Sequence, residues 1–196
     1  LELNKIFFEV IIANGFEKKA LKILKKKKNL RLIDASTFSF NKKFKINSFN
    51  NAILLQEEDQ IKFKRNEFKI VSKIKPNNQQ MKNLIFAFNI CRYVKSNAIV
   101  LAHKESTVGI GSGQPSRVDS CQIAINKMKK FVNPLENIIA ASDAFFPFVD
   151  GVEQLVQAGV KAIIQPSGSI NDKKIIKYAN DTGTILVFSK TRHFRH

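Results

Sequence analysis

Apolar residues recur along this chain in short runs, and the spacing within the runs changes from segment to segment. FFEVIIA (7–13) reads as a buried strand and LRLIDAS (30–36) as a second short strand. Between them, GFEKKALKILKKKKN reads as a basic helix with Ala20, Leu21, Ile23 and Leu24 facing inward. Residues 37–80 are polar, weakly patterned and rich in Phe, Lys and Asn, and are read as irregular strands and connection. NNQQMKNLIFAFNICRYVKS is a long helix capped by Asn77 or Asn78, with Met81, Leu84, Ile85, Phe88 and Cys91 or Arg92 at helical spacing. Beyond it the pattern alternates. AIVLAHK and STVGIGSGQPSR are strands, the second entering a glycine loop, and VDSCQIAINKMKKF is a helix. NIIAAS, AIIQPSGS and ILVFS are strands separated by the helices GVEQLVQAG and DKKIIKYANDTG. Such alternation predicts an α/β layer with helices packed on a largely parallel sheet.

In sheets of this kind ligands sit beyond the carboxyl ends of the strands. Three loops leave strands here, GIGSGQPSR, SDAFFPFVDG and PSGSIND, and each has small residues that let backbone approach a ligand. The middle one sets three phenylalanines and a proline between Asp143 and Asp150. A buried strand would not carry the acids and proline, and an ordinary surface loop would not carry the rings. The stretch therefore reads either as a site wall or as a helix entry with Asp150 as cap and the rings as core. GIGSGQ (109–114) fits neither GxGxxG nor GxxxxGK[ST]. It reads as a phosphate-accepting helix start with Arg117 one turn in, or as a tight turn. The terminal RHFRH is either a basic tail or an ordered wall presenting Arg192 to a charged ligand group.

Composition narrows the classes. With 44% hydrophobic and 25% charged residues, the 196-residue chain is globular. The net charge of +17 raises nucleic-acid binding. The excess is mostly lysine, with runs such as KKKK at 25–28, and no helix-turn-helix, zinc-finger or RNA-binding aromatic signature accompanies it. Lys, Asn, Ile and Phe share A/T-rich codons, so nucleotide composition accounts for the lysines and nucleic acid is an unlikely partner. The two cysteines, Cys91 and Cys121, are too few for a disulfide framework or structural zinc, and read as small buried hydrophobes. His103-Lys104-Glu105 is an H-x-E, but zinc deaminases pair that with P-C-x-x-C, which is absent. No run is long enough to span a bilayer and no targeting signal is evident, so the expectation is cytoplasmic. The first residue is Leu1, which suggests a chain that begins within a longer protein.

Three stretches carry a resemblance: VKSNAIVLA with TVGIGSGQPSRVDS, then SDAFFPFVDGVEQLVQAGVKAIIQPSGSINDKKI, then RHFRH at the end. Together they resemble the C-terminal half of the AICAR transformylase domain of the bifunctional AICAR transformylase/IMP cyclohydrolase family, from about FFEVIIA to His196. The resemblance implies a cytidine-deaminase-like α/β fold without the zinc site. Residues 1–80 would be part of the first transformylase region and connection, and 81–196 the second such subdomain. It implies formyl transfer from 10-formyltetrahydrofolate to the 5-amino group of AICAR, giving FAICAR in IMP biosynthesis, at sites formed across a homodimer.

By the same resemblance Asn97 contacts the AICAR base and reacting groups and is the expected catalytic residue. Arg117 meets the phosphate or ribose, Phe145 stacks near the aminoimidazole, and Arg192 binds the phosphate. Pro147 and Phe148 line the pterin pocket, Asp150 accepts from the pterin edge, and Ser169 lies close by. Ser96, Asp143 and carbonyls near His196 match a potassium site. These residue types suit the work: a carboxylate accepts two N–H donors, arginine grips phosphate in a fork, and a weak amine nucleophile needs accurate placement.

Departures qualify it. Val149 stands where relatives carry arginine, and Pro115 replaces a more usual methionine or glutamine. The family's catalytic Lys-His motif, of the type K-H-x-x-P-x-G, is not found in this sequence, nor is a cyclohydrolase domain. The expectation is therefore no formyl transfer by these 196 residues alone. The alternative is a non-catalytic nucleotide-binding relic or split subunit.

Overall fold

The computed structural model describes residues 2–38, 44–61, 63, 65–130 and 136–196. Residues 39–43, 62 and 64 of the weakly patterned stretch, and Phe131 at the end of an expected helix, lie outside the described residues. The chain packs as two compact units, Leu1–Glu58 and Asp59–His196. The sequence reading divides it after residue 80.

In the first unit β1 (Val10–Ala13) pairs parallel with β2 (Arg31–Asp34), and α1 (Lys18–Leu24) joins them. β1 is shorter than the run 7–13 and is not a buried strand. Its residues alternate between exposed and half-buried, because a two-stranded sheet covers only one face. Of the four side chains expected inward on α1, Leu24 is buried and Ala20, Leu21 and Ile23 are half-buried. β3 (Phe44–Phe49) and β4 (Ala52–Glu57) form an antiparallel hairpin in register Ile46 to Leu55. It turns at Asn50, whose φ of 44° asparagine accepts readily.

The second unit is a six-stranded sheet between helices. Its elements are β5 (Phe68–Ile70), α2 (Asn78–Cys91), β6 (Ile99–His103), β7 (Ser106–Gly111), α3 (Arg117–Met128) and β8 (Ile138–Ser142). α4 (Asp150–Gln157), β9 (Val160–Pro166), α5 (Asp172–Asp181) and β10 (Ile185–Ser189) complete it. The strand order is β5-β10-β9-β8-β6-β7. Only β8, β9 and β10 run parallel to one another; β6 is antiparallel to both β8 and β7, and β5 is antiparallel to β10. The largely parallel sheet of the sequence reading is therefore a mixed sheet. The hairpin that reverses it turns at Lys104 and Glu105, at φ of 47° and 56°. That backbone usually announces itself with Asn-Gly or Gly, and the sequence HKES gives no such signal.

α2 starts at a capping box. Asn77 Oδ1 accepts from the Gln80 N–H at 2.8 Å, and Gln80 Oε1 accepts from the Asn77 N–H at 2.9 Å. Its apolar stripe, with Leu84 and Phe88 fully buried, covers one face of the sheet together with Val100, Ile139 and Ile164. α3, α4 and α5 cover the other face through Cys121, Leu155 and Ile175, against Ile99, Leu101 and Ile163. α3 lies unusually close to β7. A Cβ on Gly111 would stand 1.9 Å from the Ser120 carbonyl oxygen, and one on Gly109 2.1 Å from that of Ala124. Two glycines of the GIGSG run therefore serve helix-on-strand packing rather than a phosphate cradle. Only Gly113, at φ 68°, belongs to the loop itself.

Candidate functional site

β7, β8, β9 and β10 all end at one edge of the sheet, where β6 begins. The loops 112–116, 143–149 and 167–171, the segment Ser96-Asn97 and the tail 190–196 consequently meet there. A cavity of about 510 Å³ opens at this edge, within the range of small-molecule sites. Asn97, Arg117, Phe145, Pro147, Phe148, Asp150 and Arg192 all line it. Residues scattered over ninety-six positions of sequence are thus gathered by topology.

Arg117 is the hub. Its side chain is 8% exposed and pairs with Asp143, which is fully buried, at 2.5 Å between Nη1 and Oδ1. Nη1 also donates to Ser142 Oγ at 3.2 Å, Nε to the Phe145 carbonyl at 3.2 Å, and Nη2 to Asn97 Oδ1 at 2.9 Å. Four of the five guanidinium protons are therefore spent on protein, and one on Nη2 remains for a ligand. Asn97 is bound as tightly. Its Nδ2 donates to the carbonyls of Gln114 at 2.9 Å and Pro115 at 3.0 Å, while Ser120 Oγ donates to its own carbonyl at 2.8 Å. The polar capacity that the Asn97 side chain keeps for the cavity is the second lone pair of Oδ1.

Arg192 is the opposite case. Its guanidinium lies 4.8 Å from the centre of the Phe145 ring, and it is exposed. It makes no hydrogen bond or ion pair among the described residues. A Cβ on Gly168, which has φ 113°, would stand 3.2 Å from its Nη2, so the glycine keeps that approach open.

The other wall is the FPFVDG stretch, which combines the two sequence readings. Phe146 is core, 1% exposed, while Phe148 is 63% exposed at the cavity. Val149, not Asp150, occupies the cap position of α4; Asp150 is the first helical residue. Asp150 Oδ1 accepts from the Gly151 N–H at 2.7 Å, and its Oδ2 has no partner among the described residues. Gly151 lies directly under Phe146, where a Cβ would come within 2.8 Å of the ring. Ser169 does not line the cavity. Its Oγ accepts from the Asn171 N–H at 3.2 Å, and Asn171 Nδ2 donates to the Pro147 carbonyl at 2.7 Å, so Ser169 belongs to the loop that braces this wall.

The expected potassium ligands come together in part. Ser96 Oγ donates to Asp143 Oδ2 at 2.6 Å and stands 3.5 Å from the His193 carbonyl oxygen. The tail carbonyls that reach Ser96 are those of His193 and of Arg195, the latter accepting from the Ser96 N–H at 2.9 Å, while the His196 ring stacks on Phe194 with centroids 5.9 Å apart. An all-oxygen set whose one carboxylate is already paired with Arg117 suits a monovalent cation better than a divalent one. Among the described residues no three of His, Cys, Asp and Glu cluster as a metal ligand set.

RHFRH is an ordered wall. His193 is fully buried, with its backbone N–H donating to the Asp143 carbonyl at 2.8 Å and its Nδ1 bonded to Asp59. Asp59, Ser142, Asn171 and the burial of His193 went unread in the sequence, since each joins the site through a partner distant along the chain: His193 for Asp59, Arg117 for Ser142 and Pro147 for Asn171. Both cysteines are buried as expected. Burial pushes the Cys121 thiol up to about 12, and the Cys91 thiol well above its ordinary range. Neither is a thiolate nucleophile.

The fold and site define a mixed α/β domain with a small-molecule cavity at the carboxyl ends of its strands, walled by rings, one free guanidinium and one half-free carboxylate. Comparison with known proteins then fixes the family. The sequence profile of the AICARFT/IMPCHase bienzyme family matches residues 1–127. The bifunctional purine biosynthesis protein PurH of Aquifex aeolicus is 41% identical over 195 residues, covering 100% of this chain. The proteins of that name from Oenococcus oeni and Fusobacterium nucleatum are each 44% identical, over 196 and 194 residues. The chain belongs to the AICARFT/IMPCHase bienzyme family. It spans 38% of the length of these relatives. Among solved structures, a dCMP deaminase from the cyanophage S-TIM5 aligns with 58% of the chain at TM-score 0.39 and 17% identity, too loosely to bear on function. Among the described residues no helix is long and apolar enough to cross a membrane.

Proposed function

We propose that the cavity is the C-terminal part of an AICAR transformylase site, which binds AICAR and 10-formyltetrahydrofolate for formyl transfer to the AICAR 5-amino group. The observation that carries this reading is the uncommitted guanidinium of Arg192, stacked on Phe145 beside Asn97 and Arg117. A dianionic phosphate placed on Arg192 leaves a flat heterocycle to lie along the Phe145 wall. Arg117, with its remaining proton, meets the ribose or phosphate oxygens and holds Asn97 in place. Asn97 Oδ1, with its amide nitrogen tied to the 114–115 backbone, accepts a proton of the reacting amine or of the carboxamide next to it. That fixed acceptor orients the amine lone pair toward the formyl carbon, where placement is worth most.

The folate lies on the other wall. Pro147 and Phe148 offer apolar surface to the pterin, Asp150 accepts pterin N–H groups on its free Oδ2, and Ser169 acts through the Asn171 brace. Val149 contributes no charge at this mouth, so folate binding rests on stacking and on Asp150. A monovalent cation such as potassium would sit among Ser96, Asp143 and the tail carbonyls near His193 and His196, and would supply charge that holds the tail to the β6 start. The groups that remove the amine proton and stabilise the formyl oxyanion are assigned to the Lys-His half of the domain and to a second copy across a homodimer.

Two titrations test the reading. AICAR monophosphate should bind the chain in calorimetry, and Arg192→Ala should weaken it about ten- to hundredfold, the worth of a charge-assisted hydrogen bond. The phosphate-free riboside should be unaffected by the substitution. Equal loss for both ligands, or none, removes Arg192 from the phosphate. The 196 residues alone should form no FAICAR from AICAR and 10-formyltetrahydrofolate; measurable product overturns the division of labour between the halves.

A further inference from the structure

Arg192 and Phe194 reach the cavity from a tail with no regular secondary structure. A terminal segment of this kind is ordered only where something ties it down. Between these two exposed residues, His193 is 0% exposed, the one fully buried side chain of residues 190–196. Its ring lies 4.5 Å from that of Phe88 and 5.3 Å from that of Phe63, centre to centre. Its Nδ1 is hydrogen-bonded to the Asp59 carboxylate, and its Nε2 is buried with no partner among the described residues. Asp59 stands ahead of the first strand of its unit, half-buried, with Oδ1 accepting from the Ile61 N–H at 3.2 Å.

An imidazole in an aromatic cage is a poor choice for packing alone. A leucine would fill the space without desolvating two ring nitrogens. What the imidazole adds is direction. Exposure alternates along Arg192, His193 and Phe194, so a slip by one residue would bury Arg192 or Phe194 and turn His193 outward. An apolar cage tolerates such a slip for a phenylalanine; a hydrogen bond to one carboxylate does not.

We propose that the His193–Asp59 pair is a positioning latch that fixes the register of the tail, so that Arg192 and Phe194 stand on the cavity wall. The ligand part of this proposal rests on the nucleotide reading given above; the latch itself is read without ligand.

The test compares the wild-type chain with His193→Leu, which fills the cage, and His193→Asn, whose amide N–H mimics Nδ1–H. Hydrogen exchange is followed on the tail amides, of which His193 N–H donates to the Asp143 carbonyl and Arg195 N–H to Ser96 Oγ. His193→Leu should lose at least about tenfold of the tail's protection, the scale of one hydrogen bond to a charged group, while α2 and β8 keep theirs. His193→Asn should retain most of it. AICAR monophosphate should bind His193→Leu about tenfold more weakly and the riboside equally well, a split that mere loss of packing would not produce. Unchanged tail exchange in His193→Leu overturns the latch, and so does a loosened tail with undiminished monophosphate affinity. If the wild-type chain itself fails to prefer monophosphate over riboside, the phosphate role of Arg192 falls, while the exchange data still judge the latch. Should His193→Leu lose protection throughout, Asp59→Asn, which leaves the cage intact, provides the same readouts.

Discussion

Asp143→Ala is the perturbation from which most can be worked out. Asp143 is fully buried, and each of its polar groups is engaged. Oδ1 takes Arg117 Nη1 at 2.5 Å and Oδ2 takes Ser96 Oγ at 2.6 Å. Its N–H donates to the Ala98 carbonyl at 3.2 Å and its own carbonyl receives the His193 N–H at 2.8 Å. The backbone bonds survive the substitution; the carboxylate does not. Arg117 is then left as a charge with 8% of its side chain exposed and no counter-ion. Breaking a buried pair from one side costs about 3–5 kcal/mol. For a unit of this size that is about 10–15 °C of melting temperature, at roughly 3 °C per kcal/mol. The assay is chemical denaturation with m held as a check on two-state behaviour. Arg117→Met should cost comparably, because it orphans Asp143. The double variant Asp143→Ala/Arg117→Met should cost well under the sum, with a coupling of about 1–3 kcal/mol. A loss below about 1 kcal/mol for Asp143→Ala, or simple additivity in the cycle, would mean that the pair is hydrated and that the hub reasoning fails.

Three further outcomes are expected. Gly151→Ala should destabilise by about 1–3 kcal/mol, as overpacking does, because its Cβ would meet the Phe146 ring at 2.8 Å; adding Phe146→Leu should recover part of the loss in the same denaturation assay. Burial lowers the His193 pKa below its ordinary value of 6.5, so folding favours the neutral ring. The resulting stability is complete above about 6.5 and is lost as pH falls below it, since the unfolded chain binds the proton more readily. Unfolding free energies between pH 7.5 and 5 should show that decline, and it should be absent in His193→Asn. Cys91 and Cys121 should react with a thiol reagent at pH 8 only after unfolding; rapid modification of the native chain would contradict their raised pKa values.

Much of the architecture could be read from local signals. The α2 cap, the apolar stripe Met81–Leu84–Phe88–Cys91, and the alternation of three strands with two helices after residue 137 all rest on periodicity and capping. Those depend on neighbours within a few positions, so a sequence carries them openly. The wall residues Asn97, Arg117, Phe145, Pro147, Phe148, Asp150 and Arg192 were named through resemblance of motifs, and the tertiary structure brought all of them to one cavity. Ser169 was drawn to the same site, and the structure puts it in the bracing loop behind the wall.

What the chain alone did not disclose depends on encounters between distant segments. The direction of β6 followed from a Lys-Glu turn with left-handed backbone, a conformation without a characteristic residue pair there. The glycines at 109 and 111 looked like a ligand loop because local sequence cannot show a helix backbone arriving 2 Å from their Cα hydrogens' place. The burial of His193 needed Asp59, Phe63 and Phe88 to close around it. The sequence by itself determined most of the helices and strands beyond residue 77, because hydrophobic period and capping are local. Only the tertiary structure decided strand direction, the partners of buried charge, and which arginine at the cavity remains free, because those are fixed by contacts between segments apart in sequence, 26 residues for Arg117–Asp143 and 134 for His193–Asp59.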